Sequence, residues 1–421
     1  MSKSAPSRGY GGDNKANDED SKERSKVATD VIVIDIGTGV TKAGWAGEDA
    51  PRCAFPTLVL DNSSHAQAVS ALDDSKEKDL VGHEASQELH DSARRHQVGR
   101  EKDVIRPVVR GEIVNMKAIH TILEHIYNKE LKVDSSKYPV LLTNSPLASK
   151  ESRSAMAQKL FKDFRIPGLF IANASVLALF STGRTTGVVL EAGASLCSTV
   201  PVFEGCALPY ATLCQHLGGA DCTQHLMDIM QAEEMPPAQF DVANNIKEQR
   251  CAVYLPDSHQ PQLSPDDIQY ELPGPNGPEI ITIGDNMRYQ PSEVLFDPEG
   301  VLGPEDEVVR ANLESDAPPL MGVHKLLEQS ISKCDLNLQR DLLQNIVLVG
   351  GTSMLNGFHE RVKREMNLLY GHGNVQIILD SQRKHGAWIG GSMFGTLPTF
   401  PLLMYTRHDH MDPSIVHKKY F

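Results

Sequence analysis

No apolar run in this 421-residue chain approaches the ~18 residues needed to cross a bilayer as a helix, so a helical membrane protein is not expected. Paired cysteines are missing too. Cys53, Cys197, Cys206, Cys214, Cys222, Cys251 and Cys334 are odd in number, widely scattered and contain no CxxC, which argues against a disulfide framework and a zinc site. They read as small core hydrophobes in a reducing compartment. Basic charge is short: 41 Lys plus Arg face 55 Asp plus Glu, a net charge of -14. A broad positive field for phosphate backbones is therefore absent, and no direct contact with nucleic acid is expected. RRHQVGREK (94–102) comes nearest to a basic localisation cluster and reads as an ordinary exposed segment. Residues 1–28 hold no Leu, Ile or Phe, so they offer neither a signal-peptide core nor enough apolar area to offset chain entropy. A disordered polar tail is expected there, and cytoplasm or nucleus as the location.

The remainder is ordinary for a globular protein, with 40% hydrophobic and 23% charged residues over a length that suits two to four domains. Order is expected to begin at VIVIDIGTGVTKAGWAG (31–47), which reads as strand, glycine turn, strand. A second copy of that pattern, TTGVVLEAGASLCSTVPVFEG (185–205), points to an internal duplication. Helix-like periodicity in 116–131 and 150–164, with an extended stretch at 138–146 between them, predicts α/β architecture in two similar halves. Further helices are expected in GGADCTQHLMDIM, FDVANNIKEQRCAVYL and FHERVKREMNLLY, and a third strand and glycine turn in NIVLVGGTSML (345–355).

Asp35 runs into Gly37, Thr38 and Gly39, a turn whose backbone N–H groups can approach phosphate oxygens while the carboxylate holds a hydrated divalent cation. Glu191 with Gly193 and the pair Gly350 and Gly351 follow other apolar strands. Three such turns can converge on one nucleotide between two halves.

With these residues in view the chain resembles the actin family. The likeness lies in DIGTGVTKAGWAGEDAPRCAFP, LLTNSPLASKESR, STGRTTGVVLEAG, VPVFEGCALPYA, NIKEQRCAVY, LVGGTSM, RKHGAWIGGS and the terminal SIVHKKYF, and it covers 29–421. It implies the actin-like α/β fold shared with heat-shock chaperones and sugar kinases: two duplicated halves closing on Mg2+ with ATP or ADP. The first half would comprise 29–170 plus 386–421, with a small subdomain at 57–85. The second would comprise 171–385, with a small subdomain at 218–301 and an acidic insert at 303–319. The resemblance implies metal ligation through water at Asp35 and at Glu191, and nucleotide contacts at Gly37, Thr38, Gly39, Lys42, Gly193, Gly219, Lys247, Glu248, Gly350, Gly351, Ser353, Met354 and Lys384. It assigns Gln158 to orienting the attacking water, with Ser198 as its weak partner.

Departures from the family's pattern point to slow or absent hydrolysis. Where actin reads DSGDG with a histidine three residues on, this chain reads EAGASLCS, so the metal-side aspartate is Glu191 and the histidine is Ser198. Asn244 replaces the family's arginine near the base. The loop that inserts into a neighbouring filament subunit is replaced by DNSSHAQAVSALDDSKEK (61–78), so long homofilaments are not expected. The resemblance implies a structural subunit of a cytoskeletal or motor-associated assembly, working with other actin-related subunits and without membrane contact. A nuclear subunit of a chromatin-remodelling complex and a small-molecule kinase of the same superfamily stand as alternatives.

Overall fold

The computed structural model describes residues 30–61, 79–94, 104–146, 148–236, 238–256, 268–272, 279–303 and 319–407. The expected tail (1–28), nearly all of the divergent loop (61–78), the acidic insert (303–319, its ends excepted), most of the basic segment (94–102) and the terminal SIVHKKYF lie outside them.

Two mixed sheets carry the fold. Their strands are β1 (Ile32–Ile36), β2 (Val40–Trp45), β3 (Cys53–Pro56), β4 (Val140–Asn144), β5 (Gly168–Asn173), β6 (Gly187–Ala192), β7 (Cys197–Phe203), β8 (Cys206–Ala207), β9 (Leu213–Gln215), β10 (Ile346–Val349), β11 (Ile377–Ile378) and β12 (Tyr405–Thr406). The first sheet runs β12-β5-β4-β1-β2-β3 and the second β8-β7-β6-β10-β11, with β9 also paired to β7. In each, an opening hairpin (β1–β2, β6–β7) is antiparallel and its first strand pairs in parallel with the next strand inward (β4, β10). The two sheets therefore share a five-strand topology, β3-β2-β1-β4-β5 matching β8-β7-β6-β10-β11, with β12 and β9 as additions, and the halves are duplicates.

The central strands are apolar along their length because both of their faces are covered. Along β1, Ile32 and Ile34 pack on one side with α1 (Met116–His125) and α2 (Lys150–Lys162), while Val33 faces the other side with Leu177 and Trp388. Alternation of this kind is the period-2 consequence of a strand. Leu177 belongs to α3 (Ala174–Ser181), which leads the chain from the first half to the second. In the second half α4 (Gly219–Ala232), α5 (Phe240–Arg250) and α6 (Asp285–Glu293) form a small unit with the hairpin Gln269–Leu272/Glu279–Thr282 and have their own core. Next come α7 (Val323–Ser332), α8 (Phe358–Tyr370) and α9 (Gly386–Gly395). α7 and α8 cover the outer face of the second sheet, and α9 returns the chain to the first. α3 and α9 thus form a central helical layer, with Ala178, Leu179 and Ala387 meeting the second sheet while Leu177 and Trp388 meet the first.

The elements expected at 31–47, 116–131, 138–146, 150–164, 185–205 and 345–355 are all present, with one local difference. The expected helix over 116–131 changes to a π-helix at Ile126–Glu130. Six of the seven cysteines are buried as free thiols, and the seventh departs from the core reading: Cys206 is exposed just beyond the turn between β7 and β8. A second small unit pairs Val59–Leu60 with Leu80–Val81 and Val104–Ile105, backed by the helix His83–Arg94.

Candidate functional site

A cavity of about 880 Å³ lies between the halves. Its floor is made where β1, β6 and β10 end. Both opening hairpins close in the same way: the N–H of Gly37 donates to the Val40 carbonyl at 3.2 Å, and the N–H of Gly193 to the Leu196 carbonyl at 2.9 Å. The two turns touch. A Cβ on Gly39 would stand 2.9 Å from the Ala194 methyl, closer than real carbon contacts allow. After β10, Gly350 takes φ 93°, and a side chain there would run into the Ala192 backbone, so this close approach needs glycine. Thr352 then donates its hydroxyl to the Gly193 carbonyl at 2.7 Å, tying the third turn to the second.

Charge is concentrated on the same floor. Asp35 is buried, accepts the Thr143 hydroxyl, and is paired with the Lys42 ammonium at 2.6 Å. Glu191 accepts from Ser175 Oγ at 3.3 Å, and its carboxyl is pushed up from the usual range by burial and then by the nearby charge of Asp35. Two buried carboxylates whose charges act on each other are hard oxygen donors that suit a divalent cation. The donor set therefore fits the expected metal.

Of the residues anticipated from sequence, Asp35, Gly37, Thr38, Gly39, Lys42, Glu191, Gly193, Gly219, Lys247, Glu248, Gly350, Gly351, Met354 and Lys384 line the cavity. Three do not: Ser353, Ser198 and Gln158. Ser353 is buried beside the wall, donating to the Gly350 carbonyl at 2.7 Å and accepting from Arg383 Nε at 3.2 Å. The expected pairing of Gln158 with Ser198 is not assembled. α2 turns Arg153 and Met156 to the cavity, and Gln158, five positions after Arg153, falls on a different face and is exposed. Ser198 is buried within β7, opposite Glu191 on one side and Cys214 on the other.

Lys247 is on the wall but its ammonium is already engaged. Nζ donates to the Gly219 carbonyl (2.7 Å), Thr223 Oγ1 (2.9 Å) and Asn244 Oδ1 (2.7 Å), and burial lowers its pKa. Asn244 also donates to Glu248 Oε1 at 2.9 Å, so the residue in place of an arginine organises its two neighbours. Sequence reasoning missed Arg383 and His385, which line the cavity as well. Burial and the charge of Lys42 push the His385 imidazole down to about 4, so it is neutral at physiological pH. Only their adjacency to Lys384 could have drawn attention to them.

Strand-end glycine turns from two duplicated α/β halves thus face one another across a cavity that also holds the carboxylates of Asp35 and Glu191. The family model described as Actin matches residues 27–241 and 235–421, and the chain belongs to the actin family.

Proposed function

We propose that this actin-family chain binds Mg-ATP or Mg-ADP between its halves and serves as a structural subunit of a cytoskeletal or motor-associated assembly, hydrolysing nucleotide slowly. The observation that carries the reading is the convergence of all three glycine turns and both carboxylates on one cavity. Asp35 and Glu191 would hold the magnesium ion, directly or through water, and the ion supplies charge neutralisation for the β- and γ-phosphates. With the Gly37 and Gly193 N–H groups closing their turns, the N–H groups of Thr38, Gly39, Ala194 and Ser195 would donate to phosphate oxygens. Asn244 orients Glu248 toward a ligand hydroxyl, and Lys247 adds positive potential while its protons stay within the protein. Slow turnover follows from the wall itself: Gln158 and Ser198 are both off it, and water positioning is a large part of phosphoryl-transfer catalysis.

Gly351 provides a test that leaves the fold alone. It lines the cavity, its φ is not in the left-handed region, and a Cβ there meets nothing within 4 Å. Gly351→Val is expected to keep the thermal stability of the ligand-free protein while weakening a fluorescent ATP analogue by about tenfold or more, ~1.4 kcal/mol. Equal affinity in the two proteins would place the nucleotide elsewhere.

A further inference from the structure

Arg110 belongs to the first half, yet its polar partners lie in the second. It occupies the turn of the hairpin Val108–Val109/Glu112–Ile113. Its N–H donates to Ser195 Oγ at 3.2 Å. One terminal guanidinium nitrogen reaches the Ser195 carbonyl (3.2 Å), the His216 carbonyl (2.6 Å) and Asp221 Oδ2 (3.1 Å), and the other reaches Asp221 Oδ1 at 3.1 Å. Asp221 in turn accepts the N–H of Gly218 at 2.7 Å, fixing the start of α4, whose first residue Gly219 is on the cavity wall. Gly218 packs against Ala194 and Ser195 so closely that a Cβ would come within 2.8 Å of their backbone.

The hairpin holds Arg110 in the left-handed region (φ 51°), followed by Gly111 at φ 81°. A non-glycine residue there costs about 1–3 kcal/mol and persists where the surroundings over-determine it. The surroundings here are the second phosphate loop. At its other end the same segment is a strand: Val104–Ile105 pairs with Val59–Leu60 in the small unit of the first half. Residues 104–113 therefore run as a strap from that small sheet to the second phosphate loop.

We propose that Arg110 is a positioning residue for the nucleotide site: by clamping the second phosphate loop and the start of α4 from across the cavity, it holds the halves closed and sets the rate at which nucleotide leaves. This rests on the nucleotide-binding reading above. Geometry separates Arg110 from the other cross-cavity arginine. Arg106 meets Asp241 through a single 3.3 Å contact with both side chains 40% exposed, which water and salt screen to little effect. The Arg110–Asp221 pair is bidentate, with side chains 21% and 8% exposed, so opening the halves would strip a buried carboxylate of its partner.

Stopped-flow release of a fluorescent ATP analogue, loaded with Mg2+ and chased with excess ATP, tests this on the full chain. Arg110→Lys keeps the charge and loses the fork. It is expected to raise the release rate about tenfold or more, with a smaller change in the association rate and in the melting temperature of the ligand-free protein. Should Arg110→Lys fail to fold, the neutral pair Arg110→Gln with Asp221→Asn carries the same expectation, because it removes the clamp without stranding a charge. Release unchanged in a variant that still binds, or acceleration matched by an equal loss of ligand-free stability, overturns the clamp alone. No binding by the unaltered protein overturns the clamp and the nucleotide reading together.

Discussion

His324 stacks on Phe296, ring centroids 6.2 Å apart, with Nδ1 buried and no hydrogen-bond partner for it among the described residues. Burial pushes its pKa down to about 4 from an ordinary 6.5, so the folded protein holds it neutral. Because the folded value is the lower one, its contribution to stability is present above about 6.5 and is lost as pH falls from there toward 4. His324→Phe keeps the ring and removes the proton site, so chemical denaturation of this variant between pH 7 and 4 should show a shallower loss than the parent. Parallel curves would mean that other groups control the acid limb. Lys247 gathers Gly219, Thr223 and Asn244 around one ammonium, and the first and last of these also accept from the Thr223 hydroxyl. Lys247→Met should cost about 1–3 kcal/mol of stability by removing three hydrogen bonds from acceptors of which the Thr223 hydroxyl can serve only one at a time, measurable by denaturant titration.

At the scale of elements, the pair α3 and α9 determines how closely the halves sit. A Cβ on Gly390 would run into the Leu177 carbonyl, so α9 packs backbone to backbone on α3, and one on Gly391 would stand 2.9 Å from Val33 of β1, so α9 also lies close on the first sheet. Gly390→Ala is expected to cost about 3 kcal/mol or more or to prevent folding, whereas Ala at the open position Gly183 would report only its φ of 73°. The opening hairpins, β4 and β10 were legible in the sequence as short apolar runs bounded by turn residues, α8 by its amphipathic period, and α2 by apolar residues spaced three and four apart. α3 was not: ASVLALFS lies between two sheets, is apolar on nearly every side, and so carries no helical period to read. Gln158 stands off the cavity wall for a different reason. Its role came from the resemblance alone, which carries no helix phase, and the phase of α2 gives the cavity face to Arg153 and Met156.

For the whole molecule, duplication was readable because two glycine hairpins repeat in sequence, and the cavity followed from their convergence. The Arg110 clamp was not readable, since its partners Ser195, His216 and Asp221 lie 85–111 positions away and no local pattern marks them. Two expectations belong to this scale. Under single-turnover conditions phosphate release should be slower than about 10⁻³ s⁻¹, near the range of unassisted nucleotidases, because the expected water-aligning pair is not on the cavity wall. In sedimentation at salt that polymerises actin, the purified chain should stay in the supernatant. Most of it pelleting as filaments would contradict the assembly reading.

Thermal unfolding across a series of Mg-ATP and Mg-ADP concentrations tests the nucleotide site most directly. A ligand that binds only the native state stabilises by mass action, about 2.7 kcal/mol at a hundredfold excess over Kd. The predicted result is a melting temperature that climbs with the logarithm of nucleotide concentration, by several degrees at millimolar ligand, and that falls back when EDTA removes the metal. A folded protein whose melting temperature does not move in millimolar nucleotide would contradict the account.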